Sequence, residues 1–277
     1  MQTDTMIAGD GSKLFTAYRL PDGEPRALVL VVHGYGEHCG RYRHVIDALT
    51  ERGYAAFTLD HYGHGQSEGL RAYFDDFDRP IADLKAYVDT FRPKYPETPL
   101  FVLGHSMGAL ISLAFTLRHQ DEISGLIISG APVNADANVS PLMVALGYAL
   151  DKIVPKLPLL SLGDSSILSS DPDVGRAFDA DPLTYKGNMR VRLGISINET
   201  AKAVRERLPE LKLPLLIMHG EADRMVNPSG SKLAYERASS ADKTLRIYPD
   251  MYHEIMNERR RDIVLADILN WLDLHTA

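Results

Sequence analysis

Short apolar runs that do not alternate with polar residues constrain this chain most. Runs rich in Val, Leu and Ile recur at Ala27–Val32, Ala55–Leu59, Leu100–Leu103, Gly125–Ser129, Pro214–Met218 and Thr244–Tyr248. A strand can be apolar on both faces only where both are covered, as in a parallel sheet packed between helices. Segments of helical period separate the runs: Arg43–Arg52, Pro80–Phe91, Met107–His119, Ser229–Arg237 and Asp262–Leu274. In the second of these, Ile81, Leu84, Val88 and Phe91 fall on one helical face. The alternation predicts an α/β fold with a mostly parallel sheet flanked by helices. Lys13–Arg19 stands outside the repeat and reads as an edge strand.

The alternation stops between 131 and 211, where prolines at 132, 141, 155, 158, 172 and 182 punctuate a segment with no convincing strand. A plain loop of that length is foreign to a compact domain, so the segment reads as a helical insertion after the strand ending near Ser129. The expected organisation is one domain, 1–277, carrying 131–211 as a cap or lid over one end of the sheet. Ser140-Pro141 pairs a helix-cap residue with proline at the first helical position. From Leu142 to Val154 apolar residues then cover more than one helical face, which points to lipid contact or an acyl entrance. Burial of that helix between cap and core is the alternative.

Composition removes other classes of answer. A chain of 277 residues buries enough surface to need no staples, and its single cysteine, Cys39, excludes an internal disulfide and a four-cysteine zinc site. The cytoplasm is the default compartment. With a net charge of −7 and no cationic run longer than Arg259-Arg260-Arg261, nucleic acid is not an expected partner. Met1–Leu14 lacks the basic start and apolar centre of a signal peptide, and Pro141–Leu150 is too short to span a bilayer. Export and transmembrane insertion are therefore not expected.

Chemistry enters at Gly104-His105-Ser106-Met107-Gly108, a G-x-S-x-G sequence between an apolar run and a helical segment. A serine hydroxyl is a weak nucleophile, and needs a base and an acid that orients the base. In a sheet of this kind these follow later strands in the order Ser, Asp, His. Asp223, after the run ending at Met218, and His253, after the run ending at Tyr248, occupy those places. Glu221 and Asp250 are the alternative acids; Asp250 lies three positions before the base on the same loop and is poorly placed to face its ring. Of ten histidines, His33, His61, His64, His105 and His219 lie at strand ends or glycine turns, where structural hydrogen bonds explain them. His61-x-x-His64 lacks a third ligand nearby, so no metal site is expected. The oxyanion of an acyl-transfer intermediate needs backbone donors; these are expected from the amides of Met107 and Tyr35, the latter in the loop His33–His38.

With these residues assembled, the chain resembles the monoacylglycerol lipase group of the α/β-hydrolase superfamily over nearly its whole length. His33-Gly34-Tyr35-Gly36-Glu37-His38 with Gly40-Arg41-Tyr42 is similar to that group's HGxGEHxxRY loop. Asp60-His61-Tyr62-Gly63-His64-Gly65-Gln66-Ser67 looks like its DxxGHGxS segment, and Gly104–Gly108 like its GHSMG elbow. Asp181-Pro182-Leu183, His219–Arg224 and Tyr252-His253-Glu254 match as well. The resemblance implies hydrolysis of monoacylglycerol to fatty acid and glycerol without a cofactor, under a mobile cap that meets lipid peripherally. It also carries glycerol contacts onto Glu37 and Arg41, beside the alternative that both brace their loop. Departures are Tyr35 where a smaller residue is frequent, Ala109 where a third glycine is common, and Met256 where some relatives carry a second histidine. A general carboxylesterase or lysophospholipase is the competing activity, and a non-catalytic ligand pocket the competing class. Ser106 at the elbow disfavours the aspartate-nucleophile members. Cys39 lies just beyond the Gly34–His38 loop, so a bulky thiol reagent is expected to inhibit sterically.

Overall fold

The computed structural model describes residues 1–135 and 141–276. The chain opens with β1 (Gln2–Ile7), β2 (Lys13–Arg19), β3 (Leu28–Val32), α1 (Arg43–Glu51), β4 (Ala55–Leu59), α2 (Asp78–Phe91), β5 (Leu100–His105), α3 (Met107–His119) and β6 (Gly125–Ser129). It continues through α4 (Pro141–Ile153), β7 (Pro158–Leu160), α5 (Pro172–Ala180), β8 (Met189–Arg190) and α6 (Val191–Arg207). It closes with β9 (Leu215–Gly220), α7 (Ser229–Arg237), β10 (Lys243–Tyr248) and α8 (Arg261–Leu274).

Eight strands form one sheet in the order β1-β2-β4-β3-β5-β6-β9-β10, parallel from β4 onward and antiparallel at β1–β2 and β2–β4. The apolar runs do not alternate because each strand feeds two cores. Leu28, Leu30 and Val32 of β3 face a cluster with α2 and α3, whereas Val29 and Val31 face a second with α1 and α8. Each such side chain contributes about 1.5–3 kcal/mol on burial.

Two features depart from expectation. Lys13–Arg19 is the second strand rather than an edge, because β1 pairs along it from Gln2 opposite Tyr18 to Ile7 opposite Lys13. β1 is almost wholly exposed and leaves no apolar signature; its ladder holds it. The insertion, expected to be helical, also contains a short antiparallel pair, β7 with β8, of irregular register. Three exposed residues beginning with proline cannot announce a strand.

Between β6 and β9, α6 packs against both α3 and α4. The expected cap residue Ser140 lies outside the described residues. Along α4, Leu142 is 78% and Ile153 77% exposed, so this part of the apolar face is not covered by the described residues. Among the described residues no helix is long and apolar enough to cross a membrane.

Candidate active site

The turn from β5 to α3 holds Ser106 at φ +54°, ψ −122°, a conformation strained for any residue with a Cβ. Its neighbours permit it. A Cβ on Gly104 would lie 2.4 Å from Ser112 Oγ, and one on Gly108 2.3 Å from the Val32 carbonyl oxygen. Only glycine lets strand and helix approach this closely, which lifts Ser106 above the sheet.

The parallel register of β9 and β10, with Ile247 opposite His219, carries the loops after both strands to that serine. Ser106 Oγ lies 2.8 Å from His253 Nε2, and His253 Nδ1 lies 2.7 Å from Asp223 Oδ2. Asp223 Oδ1 accepts from the amides of Met225 (2.8 Å) and Val226 (2.9 Å). Burial disfavours the Asp223 charge, but His253 and the hydrogen bonds from His219, His253 and Val226 outweigh it and hold the carboxyl far below its ordinary range. Burial likewise opposes the His253 cation, yet the Asp223 charge and hydrogen bond raise the pKa of His253. Glu221 and Asp250, the alternative acids, are both exposed.

The remaining histidines divide. His33, His61 and His64 form a buried group with ring centroids 4.3 to 6.3 Å apart, and burial keeps all three neutral. Within it the His61 amide donates to His33 Nε2 at 3.0 Å, which ties the loop after β4 to that after β3. His105 lies against the base, centroids 4.8 Å apart, with its pKa lowered to about 4 by burial and by His253. His219, read from sequence as merely structural, sits on the triad carboxylate: its Nε2 is 3.0 Å from Asp223 Oδ2.

Loop 33–38 passes directly over the serine, since a Cβ on Gly34 would lie 3.2 Å from Ser106 Cβ. Buried Glu37 props this loop, its Oε1 accepting from the Gly34 amide and from Tyr42 Oη, both at 2.7 Å. Glu37 Oε2 accepts from Arg41 Nη1 at 2.7 Å, and Arg41 meets both oxygens of Glu254 at 2.7 Å. Burial favours protonation of Glu37, but Arg41 and His105 reverse the balance and lower its pKa. Glu37 lines the cavity described below, whereas Arg41 is absent from its wall. Sequence order gave no hint of Glu254 as their partner, 213 positions from Arg41.

The insertion grips the same loop. His38 Nδ1 accepts from the Gly40 amide, so Nε2 carries the proton it donates to Asp181 Oδ2 at 2.9 Å. The Tyr185 amide donates to the Gly36 carbonyl at 2.8 Å, and the Tyr35 ring packs edge-on to Tyr185, centroids 6.2 Å apart. Cys39 is buried, and burial together with the Asp60 charge raises its thiol pKa strongly. The steric inhibition expected of thiol reagents therefore has no accessible thiolate to begin from. Met256 is buried in the second core rather than in the site.

Above Ser106 opens a cavity of about 780 Å³, lined at its base by Tyr35, Met107 and His253 and farther out by apolar side chains such as Leu150, Leu160 and Ile195 from the insertion. Its size falls in the range of about 300–1,000 Å³ usual for small-molecule sites.

Residues 23–260 match the family described as serine aminopeptidase, S33. The chain is 37% identical over 255 residues to a monoacylglycerol lipase of Mycolicibacterium smegmatis, covering 92% of this chain and 91% of that protein. It is 37% identical over 276 residues to the monoglyceride lipase of Rattus norvegicus, covering 98% and 90% respectively. Among solved structures, a soluble variant of the Saccharomyces cerevisiae monoglyceride lipase in complex with a substrate analog superposes with a TM-score of 0.86 at 27% identity, covering 100% of this chain and 95% of that one.

Proposed function

Because the chain belongs to the monoacylglycerol lipase group of the α/β-hydrolases, within the family described as serine aminopeptidase, S33, we propose that it hydrolyses monoacylglycerols to fatty acid and glycerol. The observation that carries this reading is the His253–Ser106 hydrogen bond of 2.8 Å opening into an apolar cavity of about 780 Å³. Ser106 Oγ attacks the ester carbonyl carbon as its proton passes to His253 Nε2, and Asp223 stabilises the imidazolium that forms. The amides of Met107 and Tyr35 receive the developing oxyanion. The intermediate collapses, the C–O bond to glycerol breaks, and His253 returns the proton to the leaving oxygen. Water then attacks the acyl-enzyme with His253 again as base, which frees the fatty acid and restores Ser106.

Glu37 and Arg41 fit this scheme as a brace. Their polar atoms are engaged with Gly34, Tyr42, Glu254 and each other, and they hold the oxyanion loop rather than the glycerol. Segment 131–211 acts as the cap, with Met143, Val144, Leu146, Gly147 and Leu150 of α4 facing the cavity. Leu142 and Ile153 do not line the cavity and are exposed, and we assign this face to lipid aggregates met peripherally by a cytoplasmic protein. A hydrolysis panel tests the reading: monoacylglycerols of rising chain length beside di- and triacylglycerols, nitrophenyl esters and lysophospholipids. Monoacylglycerols should give the highest kcat/KM; preference for nitrophenyl esters or lysophospholipids would replace this reading with the general esterase or lysophospholipase.

A further inference from the structure

His219 is the penultimate residue of β9, with its side chain fully buried. Its Nε2 lies 3.0 Å from Asp223 Oδ2 and 3.0 Å from the Val226 carbonyl oxygen. Both neighbours only accept, so Nε2 holds a proton whichever form the ring takes. On the other side, Nδ1 lies 2.7 Å from Ser231 Oγ, which anchors the ring to α7. Asp223 Oδ2 is thereby shared between two imidazoles, His253 Nδ1 at 2.7 Å and His219 Nε2 at 3.0 Å.

We infer that His219 is a positioning residue of the catalytic triad, fixing the rotation of the Asp223 carboxylate and drawing off part of the charge that its Oδ2 presents to His253. This rests on the triad reading given above. Two consequences follow from the sharing. The carboxylate plane is fixed from both ends, by the Met225 and Val226 amides on Oδ1 and by His219 on Oδ2. The base is also less basic than a carboxylate bonded to His253 alone would make it, because a second donor disperses the negative charge. Other groups act on His253 as well: His105 from β5, and Glu254 and Glu37, both engaged with Arg41. None of these bonds to Asp223, so removing the His219 donor changes one contact of the carboxylate and leaves the others in place.

The test uses the full chain and a short soluble ester, with kcat/KM followed across pH. His219→Phe keeps a planar ring and lacks a donor. It should lower kcat/KM by about tenfold to a hundredfold, the scale of a small misalignment, and should move the acidic limb of the profile to higher pH. His219→Gln carries an amide donor at the reach of Nε2 and should restore both rate and limb. A purely structural histidine would change the melting temperature and leave the limb where it was. A folded His219→Phe with the parent rate and limb overturns the inference, as does a folded His219→Gln as impaired as His219→Phe. If His219→Phe does not fold, Ser231→Ala, which frees the ring from α7, should shift the limb in the same direction by less, and an unchanged profile overturns the inference. Ser106→Ala separates the two levels. Activity surviving in it sinks the triad reading itself, while an inactive Ser106→Ala beside a parent-like His219→Phe sinks only the role of His219.

Discussion

His253 bonds Ser106 and Asp223 at once, so it must be neutral at Nε2 to take the serine proton. Its pKa is raised, which means that protonation removes the base at a pH above the value of about 6.5 for a free histidine. The expected result is an acidic limb of kcat/KM above that value, read from a pH profile with a soluble ester. Single replacements Ser106→Ala and His253→Ala should each cost about 10⁴-fold or more in kcat, and the double variant little beyond either; multiplying losses, measured against the parent, would break the unit apart. Cys39 carries a third expectation. The thiol is buried, and its backbone amide donates to Asp60 Oδ1 at 2.8 Å, so thiol reagents should leave the native protein active and Cys39→Ser should match it. Chain order alone singled out Ser106, Asp223 and His253, which the structure brings within hydrogen-bond distance. It could not single out His219, whose bond to Asp223 depends on how the turn after β9 folds back, or Glu254, whose contact with Arg41 spans 213 positions.

At the scale of elements, α4 separates two readings left open by its sequence. Leu142 and Ile153 are 78% and 77% exposed and neither lines the cavity, so glutamate at both buries no charge against the core. Stability should change by only about 0.5 kcal/mol per site, while vesicle binding weakens and KM rises for long-chain substrates and short esters react as before. A large fall in melting temperature with equal loss on both ester classes would instead mean that this face packs inward. The helices and parallel strands of the sheet were legible because burial on two faces writes a dense apolar record, as in β3 and β5. β1 and β7 were not, since exposed strands are held by ladder hydrogen bonds that leave little mark on side-chain composition, and β8, two residues long, is too short to carry a pattern.

Across the whole molecule, Arg41 joins the loop after β3 to the loop after β10 through two buried carboxylates. Arg41→Met would strand both, and loss of one partner from a buried ion pair costs about 3–5 kcal/mol. Urea unfolding should show that loss as a lower midpoint, and kcat should fall with it because the Gly34 amide shares Glu37. An unchanged midpoint would mean that the pair contributes nothing net. The same bridge has a consequence in time. The groups that complete the site, His253 and Glu254, follow the tenth strand, whereas the serine and its overarching loop belong to the first half of the chain. A chain emerging from the ribosome can collapse its early strands without gaining any hydrolytic power until the last strand docks. In refolding, recovery of ester hydrolysis should therefore trail recovery of secondary structure, and the delay between the two measures how long β10 and α8 take to close the sheet.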